Sequence, residues 1–468
     1  LSSSLRKSRR HLKSLIERAE ELLRAERREL PTDPVEFCEK ILHIRPTSYQ
    51  RRLLRLLAEG HRRIVLRWAR QTGKTYILAA VLIWYCSTHP GSTALIVAPG
   101  LRQSLILSDR IHGLLNQMEP SVRRSIVEKA LRTIIRFRNQ SQIVALPNSE
   151  HLLRGYTAHL VICDEAAFFH NDEAIFPHIL MPMMATTNGI MIVSSTPWGR
   201  RSIYHQLNQD PDWVLIHVPW TEAVKEGIYS REFVGEIEKL RETRPQAFRM
   251  EYEAEFIEDE EAWLSQDLLA KAIDEELEYY RIEDRAKGQF YVGLDLAERR
   301  DYTAIAVIQR EDQLLKLVHR HKFPLGTGLA AAIGYIKTLR ENWNGIRKIY
   351  VDITKHGDYF IQDMHEAGIP EAEGIIFTQR RKQEMAQLLR QRIQEGRLRI
   401  PYDRELLNEL NIERYELTKT GAIRFYHPEG THDDQFWALA LAVYAAEMEA
   451  IPRRPRISVK RLFDGGIR

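Results

Sequence analysis

The chain has 468 residues, of which 44% are hydrophobic and 28% charged, too long for one ordinary core and composed like a folded globular protein. Lysine and arginine (68) barely outnumber aspartate and glutamate (64), so a net charge of +4 argues only weakly for a polyanionic partner. No apolar run approaches a membrane-spanning helix, and Cys38, Cys86 and Cys163 lack metal-ligand spacing, which leaves buried free thiols rather than a zinc site or a disulfide scaffold.

From Leu5 to about Glu29, charges of alternating sign surround Leu12, Leu15, Ile16, Leu22 and Leu23, predicting a surface helix with a narrow apolar stripe that Pro31 and Pro34 end. Short apolar runs then alternate with longer helical patterns. Ile64–Leu66, Thr93–Ala98, Ile143–Leu146, Leu160–Cys163, Ile190–Ser194 and Val214–Val218 read as buried strands, with helices such as Lys74–Cys86 and Leu101–Met118 between them. That alternation predicts a mainly parallel sheet covered on both faces, over residues 1–220.

Residues 221–287 change to charged helices without strands, a solvated helical subdomain and linker. A second α/β domain is expected over 288–450. It begins as an antiparallel meander of Phe290–Leu296, Tyr302–Ile308 and Leu314–His319, followed by a helix at Leu329–Glu341, a strand at Lys348–Val351 and a last helix at Asp433–Glu447. Tyr415–His427 reads as a β-hairpin turning at Thr420-Gly421. The basic ends, Arg6 to Lys13 and the tail 451–468, are read as solvated rather than as nucleic-acid contacts.

The first chemistry-bearing run is Arg70-Gln71-Thr72-Gly73-Lys74-Thr75, between a strand and a helix. A phosphate loop needs this setting: backbone amides and a helix N-terminus face the phosphates, Lys74 reaches the terminal ones, and the Thr75 hydroxyl is placed for Mg²⁺. The usual first glycine of such loops is Trp68 here. The strand Leu160–Cys163 runs into Asp164 and Glu165, one carboxylate for Mg²⁺ and one to orient or deprotonate the attacking water. Arg70 in the loop, or Arg154 in Leu153-Arg154-Gly155, is a candidate to neutralise transition-state charge. Tyr49-Gln50 is a candidate adenine contact, and Ser194-Ser195-Thr196-Pro197 a candidate γ-phosphate sensor.

The second domain carries acids where strands end. Asp295 lies in a strand, Asp301 at the next turn, Asp352 after Ile349-Tyr350-Val351, and Asp433-Asp434 at the last helix. Such a cluster stays ionised only around cations. Its oxygen-only ligands point to Mg²⁺ or Mn²⁺, and two such ions would serve phosphodiester cleavage.

Taken together, the Arg70–Thr75 loop, Leu153-Arg154-Gly155, Ile162–Phe168, Ser194–Gly199, Gly293-Leu294-Asp295 and His432-Asp433-Asp434 resemble, in order and spacing, the large terminase subunit of tailed bacteriophages. The resemblance implies a P-loop ATPase of the additional-strand, conserved-glutamate type, a helical lid, and an RNase H-like nuclease of the resolvase (RuvC) type. It implies ATP and Mg²⁺ as cofactors and Asp295, Asp352 and Asp434 as catalytic acids. It implies translocation of double-stranded DNA into a procapsid and cutting of concatemers. The partners would be the portal, a small terminase subunit and further copies in a pentamer, with Arg154 acting in trans, in the cytoplasm of an infected cell. The degenerate glycine at Trp68 fits that family. A cellular helicase or repair ATPase with an attached nuclease is the alternative; it would require a second motor-like domain, where this sequence offers charged helices and an acid-bearing sheet.

Overall fold

The computed structural model describes residues 30–257, 261–296, 302–354, 357–417, 423–428 and 431–450. The helix expected at Leu5–Glu29, the turn at Thr420-Gly421, Asp301 and the basic tail lie outside them. The described chain folds as two compact units: residues 30–279 with 392–433, and residues 280–391 with 434–450.

The first unit is built on an eight-stranded sheet. In chain order its strands are β1 (Arg63–Trp68), β2 (Thr93–Ala98), β3 (Val127–Ala130), β4 (Ile134–Phe137), β5 (Gln142–Pro147), β6 (Leu160–Asp164), β7 (Ile190–Ser195) and β8 (Val214–Val218). In space they run β3-β4-β5-β2-β6-β7-β1-β8. From β5 to β8 all neighbours are parallel, and β4 and β3 add an antiparallel edge. Nearly unbroken runs such as Leu-Val-Ile-Cys suit strands buried on both faces. The helix Lys74–Thr88 is buried from Ile77 to Cys86 without a polar stripe, so it lies inside the fold rather than on it.

This order decides the site. β7 lies between β1, which feeds the phosphate loop, and β6, which ends in Asp164. Its register sets Ser194 beside Asp164 and Ser195 beside Arg67. An extra strand between those two is the arrangement expected of the additional-strand ATPases.

Sequence reading missed β3 and β4, because Val127-Glu128-Lys129-Ala130 and Ile134-Ile135-Arg136-Phe137 are too short and too charged to form an apolar run. The stretch read as charged helices holds Trp220–Lys225, Arg231–Thr243, Pro245–Glu251 and Gln266–Ala272. Ile237 and Phe248 of these helices, with Trp220, pack on Ala69 at the root of the phosphate loop.

In the second unit β9 (Lys287–Asp295), β10 (Ala304–Glu311) and β11 (Leu314–Lys322) form the antiparallel meander. β12 (Asn344–Asp352) pairs parallel to β9, and β13 (Ala372–Ile375) parallel to β12. The helix Asp434–Ala450 packs on β9 at Gly293, where a Cβ would stand 2.0 Å from the Ala438 carbonyl oxygen. Only glycine admits the helix that closely.

The division of the chain differs from a single second domain over 288–450. Residues 392–433, with the helix Arg404–Ile412 and the hairpin Arg414–Leu417/Ile423–Tyr426, belong to the first unit. Backbone bonds tie them there: Ile400 N donates to Ala272 O at 2.9 Å, and Trp263 N to Glu413 O at 2.8 Å. Trp263 also packs edge-on against Tyr415 and Phe425.

Candidate active sites

The phosphate loop takes its shape from two residues in the left-handed region, Gln71 (φ 59°) and Gly73 (φ 80°), which turn successive amides to one side as an anion cradle. The positive φ of Gly73 is what demands glycine there, and a Cβ would also press on the Gln50 amide end at 2.8 Å. The loop is braced from several sides. Thr72 Oγ1 donates to Ala69 O at 2.9 Å, Arg70 N donates to Glu251 O at 2.9 Å, and the Tyr229 hydroxyl donates to Arg70 O.

Tyr49 and Gln50 belong to this bracing. The Tyr49 hydroxyl donates to Thr72 O at 2.9 Å and Gln50 Nε2 to Gly73 O at 3.3 Å, while Gln50 Oε1 completes a capping box with Thr47. Both side chains are buried, and the Tyr49 ring meets Trp68 edge-on at 5.1 Å. Trp68, where the first glycine of such loops usually stands, is fully buried.

Lys74 Nζ stands 3.7 Å from both Asp164 Oδ1 and Glu165 Oε1. Ser194 Oγ donates to Asp164 Oδ1 at 2.6 Å, and Ser195 Oγ to Glu165 Oε2 at 3.1 Å. The two serines, read as γ-phosphate sensors, therefore hold the carboxylates. Glu165 adopts the left-handed conformation (φ 54°) for a non-glycine residue, a turn that aims its side chain back at the loop. Burial raises the Asp164 pKa above its ordinary value despite Lys74. Burial pushes Glu165 the same way, but Lys74, Arg404, Ser195 and Arg70 together outweigh it and hold Glu165 below the usual range. Glu165 is thereby kept as a carboxylate, able to accept hydrogen bonds from water.

Arg70 reaches Glu251 Oε2 at 3.4 Å. Arg154, at the end of the short helix Glu150–Leu153, is 63% exposed and pairs with Glu150 one turn back. Thr75 lies in the first turn of the helix Lys74–Thr88. The donors of Thr75 and Asp164, both hard oxygens beside Lys74, suit Mg²⁺ on a bound nucleotide.

Sequence reasoning missed Arg404, Glu251 and Tyr402. Arg404 lies 2.9 Å from Glu251 Oε1 and 3.7 Å from Glu165 Oε2, with its guanidinium 5.6 Å over the Phe168 ring. Burial disfavours its charge, but Glu251 and Glu165 overcome that and its pKa is raised. Tyr402 meets the Phe168 ring edge-on, its pKa raised by burial and then by Glu165. No local pattern marks these residues, because they reach the site only through the return of 392–433 to the first unit.

In the second unit Asp295 and Asp352 end neighbouring parallel strands, in which Val351 pairs with Leu294. Asp434 is buried, and its Oδ2 accepts a 3.2 Å bond from Tyr302 N, two residues before Ala304, the partner of Asp295. Asp295, Asp352 and Asp434 thus come to one end of the sheet. Asp352 Oδ1 also accepts Thr354 N at 2.9 Å. Among the described residues no three His, Cys, Asp or Glu side chains stand close enough to hold an ion, and Asp301 is not described. The donor set is still all carboxylate oxygen, which fits hard cations. Asp433, in the first unit, faces His427 Nε2 at 3.7 Å.

The three cysteines are free and buried, and burial pushes the Cys38 and Cys86 thiols up to about 12.

A phosphate loop facing an Asp-Glu pair across an inserted strand, and a meander sheet edged by acids, define a P-loop ATPase joined to an RNase H-like nuclease fold. Known families agree in the same order along the chain. Residues 66–271 match the family model "Terminase large subunit, T4likevirus-type, N-terminal", and residues 292–446 match "Terminase RNaseH-like domain". The large terminase subunit of Thermus phage G20c is 23% identical over 423 residues, spanning 80% of this chain and 82% of that one. Similar solved structures include the large terminase of bacteriophage HK97 (14% identity, 88% of this chain, 98% of that one, TM-score 0.40). Another is the large terminase nuclease from the thermophilic phage G20c (21% identity, 36% of this chain, 91% of that one, TM-score 0.32). The chain belongs to the terminase large-subunit family.

Proposed function

We propose that this chain couples ATP hydrolysis to translocation of double-stranded DNA into a procapsid and cuts the concatemer with its second unit. Its class, a DNA-packaging ATPase that carries a nuclease domain, follows from the family. The observation that carries the finer reading is Lys74 set at 3.7 Å from both Asp164 and Glu165. One lysine poised between phosphates and the acid pair is what hydrolysis of a terminal phosphate requires.

In this reading the amides of Gln71–Thr75 and Lys74 bind the phosphates, with Arg70, Gln71, Thr72 and Gly73 shaping the loop. Thr75 and Asp164 would hold Mg²⁺, which supplies positive charge at the phosphate oxygens. Ser194 and Ser195 keep the two acids apart and oriented. Glu165 orients the attacking water and takes its proton. Arg154, exposed on the surface of its unit, supplies transition-state charge to a neighbouring copy; Arg70 is the candidate in cis. A closed ring of such donors and acceptors is compatible with a pentamer on the portal.

For cutting, Asp295, Asp352 and Asp434, with Asp301 as a further ligand, would hold Mg²⁺ or Mn²⁺, whose charge would activate water and stabilise the leaving oxygen. The chain's own contribution is to fix these carboxylates on two strand ends and one helix start. One relative's nuclease was solved with bound magnesium and another large terminase with ADP, which supports this choice of cofactors. The test is DNA packaging with purified procapsids, ATP and a small terminase subunit, read as nuclease-protected DNA. The proposal predicts protection with the wild-type chain and none with Glu165→Gln; equal protection by both refutes it.

A further inference from the structure

Outside the motifs, the most constrained charged group near the phosphate loop is Arg404. It opens the helix Arg404–Ile412 behind the N-cap Asp403, which accepts Leu406 N at 3.2 Å. This segment lies inside the stretch matched by the RNase H-like family model, yet it folds with the first unit. Its side chain is 12% exposed and set between two acids, Glu251 (5%) and Glu165 (21%). Glu251 accepts Arg404 Nε at 3.0 Å and Asn408 Nδ2 at 3.4 Å on one oxygen, and faces Arg70 Nε at 3.4 Å on the other. A carboxylate buried this deeply persists only with such partners. The chain of charge therefore runs from Arg70 in the loop through Glu251 to Arg404, and from Arg404 to Glu165 Oε2, the oxygen that Ser195 also binds.

We propose that Arg404 is a positioning residue for ATP hydrolysis: it fixes the Glu165 carboxylate from the side opposite Lys74 and, through Glu251, ties that position to Arg70. Lys74 holds Oε1 and Arg404 with Ser195 holds Oε2, so the carboxylate plane is set by contacts on both oxygens. Arginine suits the place because its planar fork serves Glu251 and Glu165 at once, which a single ammonium does not. The ATP site is then completed by residues that follow the nuclease strands in sequence. This rests on the reading of Glu165 as the group that handles the attacking water.

The experiment is steady-state ATP hydrolysis and binding of a fluorescent ATP analogue on the full chain and its Arg404→Ala, Arg404→Lys and Glu165→Gln variants, with Arg404→Ala also made in the Glu165→Gln background. Misplacement of a catalytic group by about 1 Å costs on the order of a hundredfold. Arg404→Ala should lower kcat by about thirty- to a hundredfold with KM and analogue affinity within about twofold of wild type. Arg404→Lys should fall between, and Arg404→Ala should add nothing once Glu165 is gone. Wild-type kcat in Arg404→Ala, a loss confined to KM, or a further drop in the Glu165→Gln background overturns the proposal. If Arg404→Ala does not fold, the kcat of Arg404→Lys decides alone: about fivefold down at unchanged KM supports it, and wild-type kcat overturns it. Full turnover in Glu165→Gln would instead refute the reading beneath it.

Discussion

Ser195 Oγ donates a 3.1 Å hydrogen bond to Glu165 Oε2, and this contact exists because β7 is inserted between β1 and β6. Sheet topology thus places a hydroxyl where it can hold the group that handles water. Glu165→Gln keeps the size of the side chain and removes its charge, so ATP turnover should fall by at least about a hundredfold. Nucleotide affinity, measured by fluorescence titration, should stay within about threefold.

The exposed Arg154 guanidinium, paired with its helical neighbour Glu150, can leave for another copy at little cost, since exposed pairs are weak. Arg154→Ala and Glu165→Gln chains should each be inactive as ATPases. Mixed under conditions where oligomers form, they should recover a measurable fraction of wild-type turnover. No recovery in demonstrated mixed oligomers would assign the finger to Arg70 in cis.

The Tyr49 hydroxyl bonds Thr72 O, at the centre of the phosphate loop. Tyr49→Phe removes that bond alone, worth about 1 kcal/mol. The expected effect is ATP affinity weaker by about fivefold with kcat nearly unchanged, read by titration and steady-state kinetics. A loss confined to adenosine triphosphate over other nucleoside triphosphates would instead point to a base contact.

Gly293 lets the helix Asp434–Ala450 approach β9 until a Cβ would meet Ala438 O at 2.0 Å and Ala442 N at 2.5 Å. Gly293→Ala must push that helix away, costing about 3 kcal/mol of the second unit's stability. Because Asp434 starts the same helix, DNA cleavage should fall with it, while the ATPase rate remains. Thermal unfolding and plasmid nicking check the two halves.

Much of this was legible in the sequence. Parallel strands with continuous apolar runs, the loop Arg70–Thr75 and the Asp164-Glu165 strand end declare themselves locally, because each is a short stretch whose chemistry depends on its neighbours in sequence. The three-strand meander was readable for the same reason. What was not legible depends on distant segments. That Ser194 and Ser195 hold Asp164 and Glu165 follows only from the register of β7. Tyr49 and Gln50 carry no sign in the sequence that their polar groups brace the loop, a contact made across more than twenty residues. Arg404 carries no motif, and only the return of 392–433 to the first unit brings it to Glu165. The edge strands β3 and β4 were hidden by their charge and brevity.

If one chain holds two separate hydrolytic centres, one at Glu165 and one at Asp295, its two activities should be lost independently. That independence is tested most directly by measuring ATP hydrolysis and Mg²⁺- or Mn²⁺-dependent plasmid cleavage side by side on the wild-type chain, Glu165→Gln and Asp295→Ala. Asp295→Ala should stop cutting and keep its ATPase, while Glu165→Gln should stop ATP hydrolysis and still cut. Undiminished cleavage by Asp295→Ala, or undiminished ATP hydrolysis by Glu165→Gln, would contradict it.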